Sequence, residues 1–122
     1  MIIFGHGGNT VPRMPDMVKA LEKLELLLVA DPHPTTFAAI SGRKNGTYLF
    51  PMCTQFETDG SRTASNRSVQ WGEKVVNPIF ESKDDYEVIY RMAEKLGFAE
   101  QMFKNIKVDA NKRPSPEDVL RE

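Results

Sequence analysis

The sequence predicts an α/β fold: a small parallel, three-layer Rossmann-like sheet in the order strand–helix–strand–helix–strand, with a long polar loop and C-terminal helices. Three observations predict it. Apolar runs stand at Ile2-Ile3-Phe4, Leu26-Leu27-Leu28-Val29-Ala30 and Tyr48-Leu49-Phe50. The middle run lacks alternation, as in a strand covered on both faces. Helical apolar spacing separates the first two runs, and strands alternating with helices give parallel sheets with right-handed crossovers.

The elements follow in chain order. Gly5-His6-Gly7-Gly8-Asn9 stops the first strand. Met14, Met17, Val18, Leu21 and Leu24 recur three or four apart and predict a helix. Pro15 and Asp16 suit its first turn, where a missing N–H costs nothing and negative charge is favoured. Asp31-Pro32-His33-Pro34 ends the second strand, because proline cannot donate to a ladder. Residues 35–41 read as a short helix of small residues, and Asn45-Gly46 as a turn before the third strand, Thr47-Tyr48-Leu49-Phe50. Residues 52–73 are polar and without period, and read as a long loop. A helix follows, with Ser82 as its expected N-cap, an apolar face of Tyr86, Ile89, Tyr90, Ala93 and Leu96, and Gly97 as its stop. Phe98 to Phe103 continues as a helical turn, and Ser115-Pro116-Glu117-Asp118 opens a last helix. Both ends read as cut. The expected organisation is an α/β domain over residues 1–108 and a truncated tail over 109–122.

Composition narrows the function classes. With 40% hydrophobic and 27% charged residues among 122, the chain is an ordinary globular domain, and its net charge of -1 draws it neither to nucleic acid nor to acidic lipid. The single cysteine, Cys53, reads as a small buried residue and excludes an internal disulfide, a CxxC pair and an all-cysteine metal site. The apolar run at 26–30 is too short to span a membrane, and Met1 enters a strand directly, so neither membrane insertion nor a leader is expected.

Three places can carry chemistry. The loop of Gly5, His6, Gly7, Gly8 and Asn9 lies between strand and helix, where glycines admit a ligand to the backbone; it is either a phosphate loop or a tight turn, since Thr10 replaces the third glycine of GxGxxG. Asp31, with Pro32, sits at a strand end, where ligands of open α/β sheets collect. Its carboxylate either accepts from ribose hydroxyls, or from guanine N1–H and amino group together, or stabilises the turn. Thr35 and Thr36 either cap the next helix or bind phosphate. The polar loop offers Gln55, Glu57, Ser61, Thr63, Asn66, Arg67 and Gln70, which either enclose a large polar ligand or face solvent. Arg67 suits phosphate or carboxylate. His6 and His33 lack the paired spacing of metal ligands.

Several of these stretches resemble the large subunits of molybdopterin-dependent formate dehydrogenases. They are the run from Ile3 to Arg13 around Gly5-His6-Gly7-Gly8-Asn9, the run Leu27-Leu28-Val29-Ala30-Asp31-Pro32-His33-Pro34-Thr35, and above all Gln55-Phe56-Glu57-Thr58-Asp59-Gly60-Ser61-Arg62-Thr63-Ala64-Ser65-Asn66-Arg67-Ser68-Val69-Gln70-Trp71. Pro78-Ile79-Phe80-Glu81-Ser82-Lys83-Asp84-Asp85 is similar to the respiratory branch. The resemblance implies an internal fragment that contributes to binding bis-molybdopterin guanine dinucleotide, with molybdenum or tungsten, through Gly5, His6, Gly7, Asn9, Asp31, Pro32, Thr35, Glu57, Ser61, Thr63, Arg67 and Gln70.

The resemblance further implies a parent that oxidises formate to carbon dioxide and passes electrons to iron–sulfur clusters. Its 4Fe-4S motif and metal ligand are absent from this chain, which is expected to be inactive alone. The implied partners are the remaining domains of the large subunit and an iron–sulfur electron-transfer subunit. The implied compartment is periplasmic, with cytoplasmic the alternative. A free-standing nucleotide-binding or protein-interaction module, or the equivalent domain of another molybdopterin oxidoreductase such as a nitrate reductase, remain the alternative readings.

Overall fold

A computed structural model describes residues 1–5, 8 and 10–122. The chain divides into two compact units, Met1–Met52 and Cys53–Glu122.

The first unit is the predicted parallel α/β sheet. Its elements are β1 (Ile2–Phe4), α1 (Met14–Glu22), β2 (Leu28–Asp31), α2 (Thr36–Ile40) and β3 (Tyr48–Pro51). Strand order is β1-β2-β3, parallel throughout, with Ile3 opposite Val29 and Val29 opposite Leu49. The core joins Ile3 and Val29 of the sheet to Leu21 of α1, Phe37 of α2 and Leu27, with Met17, Leu24, Val11 and Ala38 packed around them. Burying each such Leu, Val or Phe side chain is worth about 1.5–3 kcal/mol, enough to hold a nine-residue helix that would not persist alone.

α1 starts differently from the usual pattern. Its N-cap, Arg13, has φ 58 and makes no side-chain cap; Arg13 instead pairs with Asp16 at 2.6 Å. At the other end the Arg43 guanidinium gathers the carbonyls of Leu21, Leu24 and Glu25 at 2.9, 2.6 and 3.2 Å, and that of Gly46 at 2.8 Å. One side chain thus gathers carbonyls at and just beyond the helix end, that of Leu21 also accepting from the Leu24 N–H at 3.2 Å.

The second unit holds β4 (Gly60–Thr63), β5 (Val69–Gly72), α3 (Asp85–Leu96), α4 (Ala99–Met102) and α5 (Pro116–Arg121). Here the structure corrects two expectations. The stretch read as a periodless loop contains an antiparallel hairpin, β4 against β5, with Ser61 opposite Trp71 and Thr63 opposite Val69. Its strands are held by ladder bonds and bury little, so they show no apolar alternation. The cap of α3 is Asp84, whose carboxylate accepts from the Glu87 N–H at 2.8 Å, whereas the Ser82 hydroxyl donates to the Ile79 carbonyl. Of the expected apolar face of α3, Ala93 is buried and Tyr86, Ile89 and Tyr90 are half-buried, while Leu96 is exposed; Glu87 and Val88 are buried as well. Gly97 ends the helix in the left-handed conformation, and Ser115 caps α5 by accepting from the Asp118 N–H, both as expected.

The last stretch is tied into this unit. Val108 bridges to Pro114, and Lys107 exchanges bonds with Ser115 and Asp118. Arg113 pairs with Asp84 and, at 2.6 Å, with Asp59, and also donates to the Thr58 hydroxyl.

Candidate functional site

In the first unit the site grows from the C-terminal end of β2. The Gly5 N–H donates to the Ala30 carbonyl at 3.0 Å, so the loop leaving β1 starts beside the residue before Asp31. Asp31 Oδ1 accepts from the His33 N–H at 2.9 Å, which shapes the turn through Pro32. Oδ2 has no partner among the described residues. One oxygen of Asp31 thus stabilises the turn, which is one of the three readings of this carboxylate. A cavity of about 170 Å³ opens here, lined by Val29, Asp31, Pro32, His33, Pro34, Leu49, Phe50 and Pro51. An apolar slot with one carboxylate suits a planar base that carries donors on its edge.

Thr35 stands at the N-cap position of α2, yet its hydroxyl caps nothing. The residue is only 7% exposed, and Oγ1 has no hydrogen-bond partner among the described residues. An unmade bond at a buried hydroxyl costs about 1–3 kcal/mol, and native structures rarely leave one without a reason. Gly8 brings the glycine loop onto α2. Its φ is 75, and a Cβ there would lie 2.7 Å from the Phe37 ring. His6, Gly7 and Asn9 lie outside the described residues.

In the second unit the polar residues divide by role. Glu57 is 5% exposed; its carboxylate accepts from the Thr54 N–H at 2.7 Å and the Ile79 N–H at 2.8 Å. These bonds, that of Thr54 first, hold its carboxyl below the usual carboxylate range. Its two oxygens thus pin the chain ahead of the hairpin to the chain after it. On the hairpin, alternation sends Ser61 and Thr63 to one face, and Arg62 and its partner Gln70 to the other. Arg62 donates to the Gln55 carbonyl at 2.9 Å. Asn66 shapes the tip by accepting from the Ser68 N–H and hydroxyl. Arg67, at φ 65, is exposed there, and its guanidinium has no partner among the described residues.

Cys53 is partly exposed rather than buried, and desolvation raises its thiol above the ordinary value. Among the described residues, no group of three or more His, Cys, Asp or Glu side chains is placed to hold a metal, and no helix is long and apolar enough to cross a membrane. Sequence reasoning missed Leu49, Phe50 and Pro51 as cavity walls, although an apolar strand ending next to Asp31 was a usable signal. It also missed Arg43 and Arg113, whose partners lie too far along the chain for any local pattern to show them.

The profile of the molybdopterin oxidoreductase family matches residues 2–95. The dimethyl sulfoxide/trimethylamine N-oxide reductase of Cereibacter sphaeroides is 33% identical over 102 residues, which cover 79% of this chain and 12% of that protein. The F420-dependent formate dehydrogenase subunit alpha of Methanocaldococcus jannaschii is 33% identical over 102 residues, covering 81% of this chain and 14% of the relative. A thiosulfate reductase molybdopterin-containing subunit of Salmonella typhimurium is 28% identical over 95 residues, covering 75% and 12%. The chain spans about one eighth of the length of these relatives.

Proposed function

Since this chain belongs to the molybdopterin oxidoreductase family, we propose that it works as one segment of a large subunit and holds a guanine nucleotide end of a bis-molybdopterin guanine dinucleotide cofactor. The family is one of oxidoreductases with a molybdopterin-type cofactor. The guanine end and the formate-oxidising parent are the finer parts of the proposal.

The buried Thr35 hydroxyl, without a partner among the described residues and four residues after the half-open Asp31 carboxylate, carries the reading. Asp31 Oδ2 would accept from the N1–H and amino group of guanine, with the apolar cleft walls of Leu49, Phe50 and Pro51 against the base. Thr35 would bond a phosphate oxygen, and His6, Gly7 and Asn9 are proposed to offer backbone N–H groups to the same charge, with Gly5, whose own N–H is taken by the Ala30 carbonyl, supplying the turn that opens the loop. The second unit, taken by itself, is proposed to offer Ser61, Thr63, Arg67 and Gln70 of its hairpin to the cofactor, with Arg67 the group for an anionic oxygen. Glu57 would act by holding the hairpin's base. When bound, the cofactor supplies two-electron redox chemistry at its metal, molybdenum or tungsten.

Formate oxidation is favoured by the formate dehydrogenase relative and by residues 78–85. The dimethyl sulfoxide and thiosulfate reductase relatives support the second reading, the same domain in another molybdopterin oxidoreductase. In the formate-oxidising parent the partners would be the rest of the large subunit and an iron–sulfur electron-transfer subunit. A periplasmic location belongs to the formate reading.

An amide NMR titration of the labelled chain with guanosine diphosphate, with adenosine diphosphate as control, tests the site. It detects millimolar binding, worth only about 4 kcal/mol. Guanine-selective shifts at Gly5, Gly8 and residues 31–36 are expected. Equal shifts with both nucleotides would replace the guanine site with a general phosphate site. No shifts would overturn the claim that this segment forms the site by itself.

A further inference from the structure

Asn45 and Gly46 form the exposed turn between α2 and β3. Six asparagines stand in the sequence, and Asn45 alone is followed by glycine; the others precede Thr10, Arg67, Pro78, Ile106 and Lys112. Glycine has no Cβ to keep its backbone nitrogen from the preceding side chain. Around Gly46 there is room to move: at φ 73 nothing lies within 4 Å of where a Cβ would stand, and its N–H makes only a long 3.4 Å contact to the Arg43 carbonyl. Asn66 is the contrast, since its side-chain oxygen is engaged by the Ser68 N–H and hydroxyl.

We propose that Asn45 is a site of spontaneous conversion to isoaspartate and aspartate, and that this conversion releases the Arg43 clamp. The Gly46 amide nitrogen attacks the Asn45 side-chain carbonyl carbon. A C–N bond forms and closes a five-membered imide, and the side-chain nitrogen leaves as ammonia with the proton given up by Gly46. One water then opens the imide at either carbonyl, leaving a carboxylate. No electrons are exchanged. Opening on one side leaves aspartate; opening on the other routes the main chain through the side-chain carbon and lengthens it.

The clamp makes this turn consequential. Arg43 Nε donates to the Gly46 carbonyl at 2.8 Å, while its other nitrogens hold the carbonyls of Leu21, Leu24 and Glu25. A lengthened backbone at position 45 displaces the Gly46 carbonyl from Nε. The new carboxylate, two residues from Arg43, competes for the guanidinium. Both effects loosen the C-terminal end of α1. The proposal does not rest on the cofactor reading, and its test involves no ligand.

The test is incubation of the full chain over a range of mildly alkaline pH, followed by peptide mass spectrometry and isoaspartyl-specific methyl labelling. Isoaspartate should accumulate at position 45 in the folded chain, faster as pH rises, while Asn66 stays intact. The thermal midpoint should fall with the converted fraction, and Asn45→Gln should hold its midpoint through the same incubation. Conversion at Asn66 as fast as at Asn45, conversion only after unfolding, or an unchanged midpoint in fully converted protein would each overturn the proposal.

Discussion

The Arg43 guanidinium donates to the Leu24 carbonyl at 2.6 Å, from the far side of β2 in sequence. This bond and those to Leu21, Glu25 and Gly46 let one side chain close the end of α1 and the turn before β3 together. Arg43→Ala leaves the helix-end carbonyls to water and is expected to cost about 1–3 kcal/mol, the range for lost hydrogen bonds to a charged donor. Arg43→Lys should recover only part of this, because one ammonium cannot span four carbonyls set around a planar fork. Urea unfolding of the three proteins measures both. A wild-type midpoint for Arg43→Ala would show that solvent serves those carbonyls equally well.

Thr35 gives a prediction whose two halves differ in sign. Its buried hydroxyl makes no bond among the described residues, so Thr35→Val, which keeps the shape, should leave the free protein as stable or raise it by about 1 kcal/mol. The same change should weaken guanosine diphosphate binding, because in the proposed site the hydroxyl bonds a phosphate oxygen. Thermal melts with and without nucleotide separate the two. A variant destabilised when free would mean that the hydroxyl has a structural partner.

Glu57 should confer acid sensitivity. The Thr54 and Ile79 N–H groups lower its folded pKa below the unfolded value. The stability it contributes is therefore fully present above the unfolded carboxylate pKa and is lost as pH falls through the folded one. Glu57→Gln offers only one acceptor oxygen and should lower stability at neutral pH while flattening its decline below the unfolded carboxylate pKa. Unfolding free energy followed against pH for both proteins checks this. Parallel acid profiles would place the acid-sensitive group elsewhere.

How much of this was legible in the sequence depends on the range of the forces involved. β1, α1, β2 and α2 were readable because burial writes its period into adjacent residues, as at Ile3, Leu21, Val29 and Phe37, whereas β3 was readable from its apolar run alone, its four residues being exposed. The hairpin was not, because Ser61, Arg62, Thr63 and Gln70 stay largely outside any core and are ordered by main-chain ladder bonds. The α3 cap was misread by two residues because Ser82 and Asp84 are both good caps, and only the Ile79 carbonyl, which takes the Ser82 hydroxyl, decides between them. At the site, Asp31 was legible from its strand-end position. That Thr35 would have no partner among the described residues was not, since satisfaction depends on every neighbour in space. Arg113 meets Asp59 across fifty-four residues, beyond any local pattern.

The glycine loop supplies the most discriminating prediction. Gly8 has φ 75, and a methyl group there would stand 2.7 Å from the Phe37 ring. Gly8→Ala thus meets two separate penalties: the left-handed conformation costs an L-residue about 1–2 kcal/mol, and overpacking against a core ring adds about 1–3 kcal/mol. Phe37→Leu in the same chain makes room but leaves the backbone strain untouched. The double variant should therefore recover part of the loss, giving a favourable coupling in a double-mutant cycle. If the losses simply add, the alanine has been accommodated by moving the loop, and the close approach of Gly8 to α2 is not what fixes that loop. In that case nucleotide binding should fall in Gly8→Ala and stay low in the double variant. If the approach does fix the loop, binding should return together with stability.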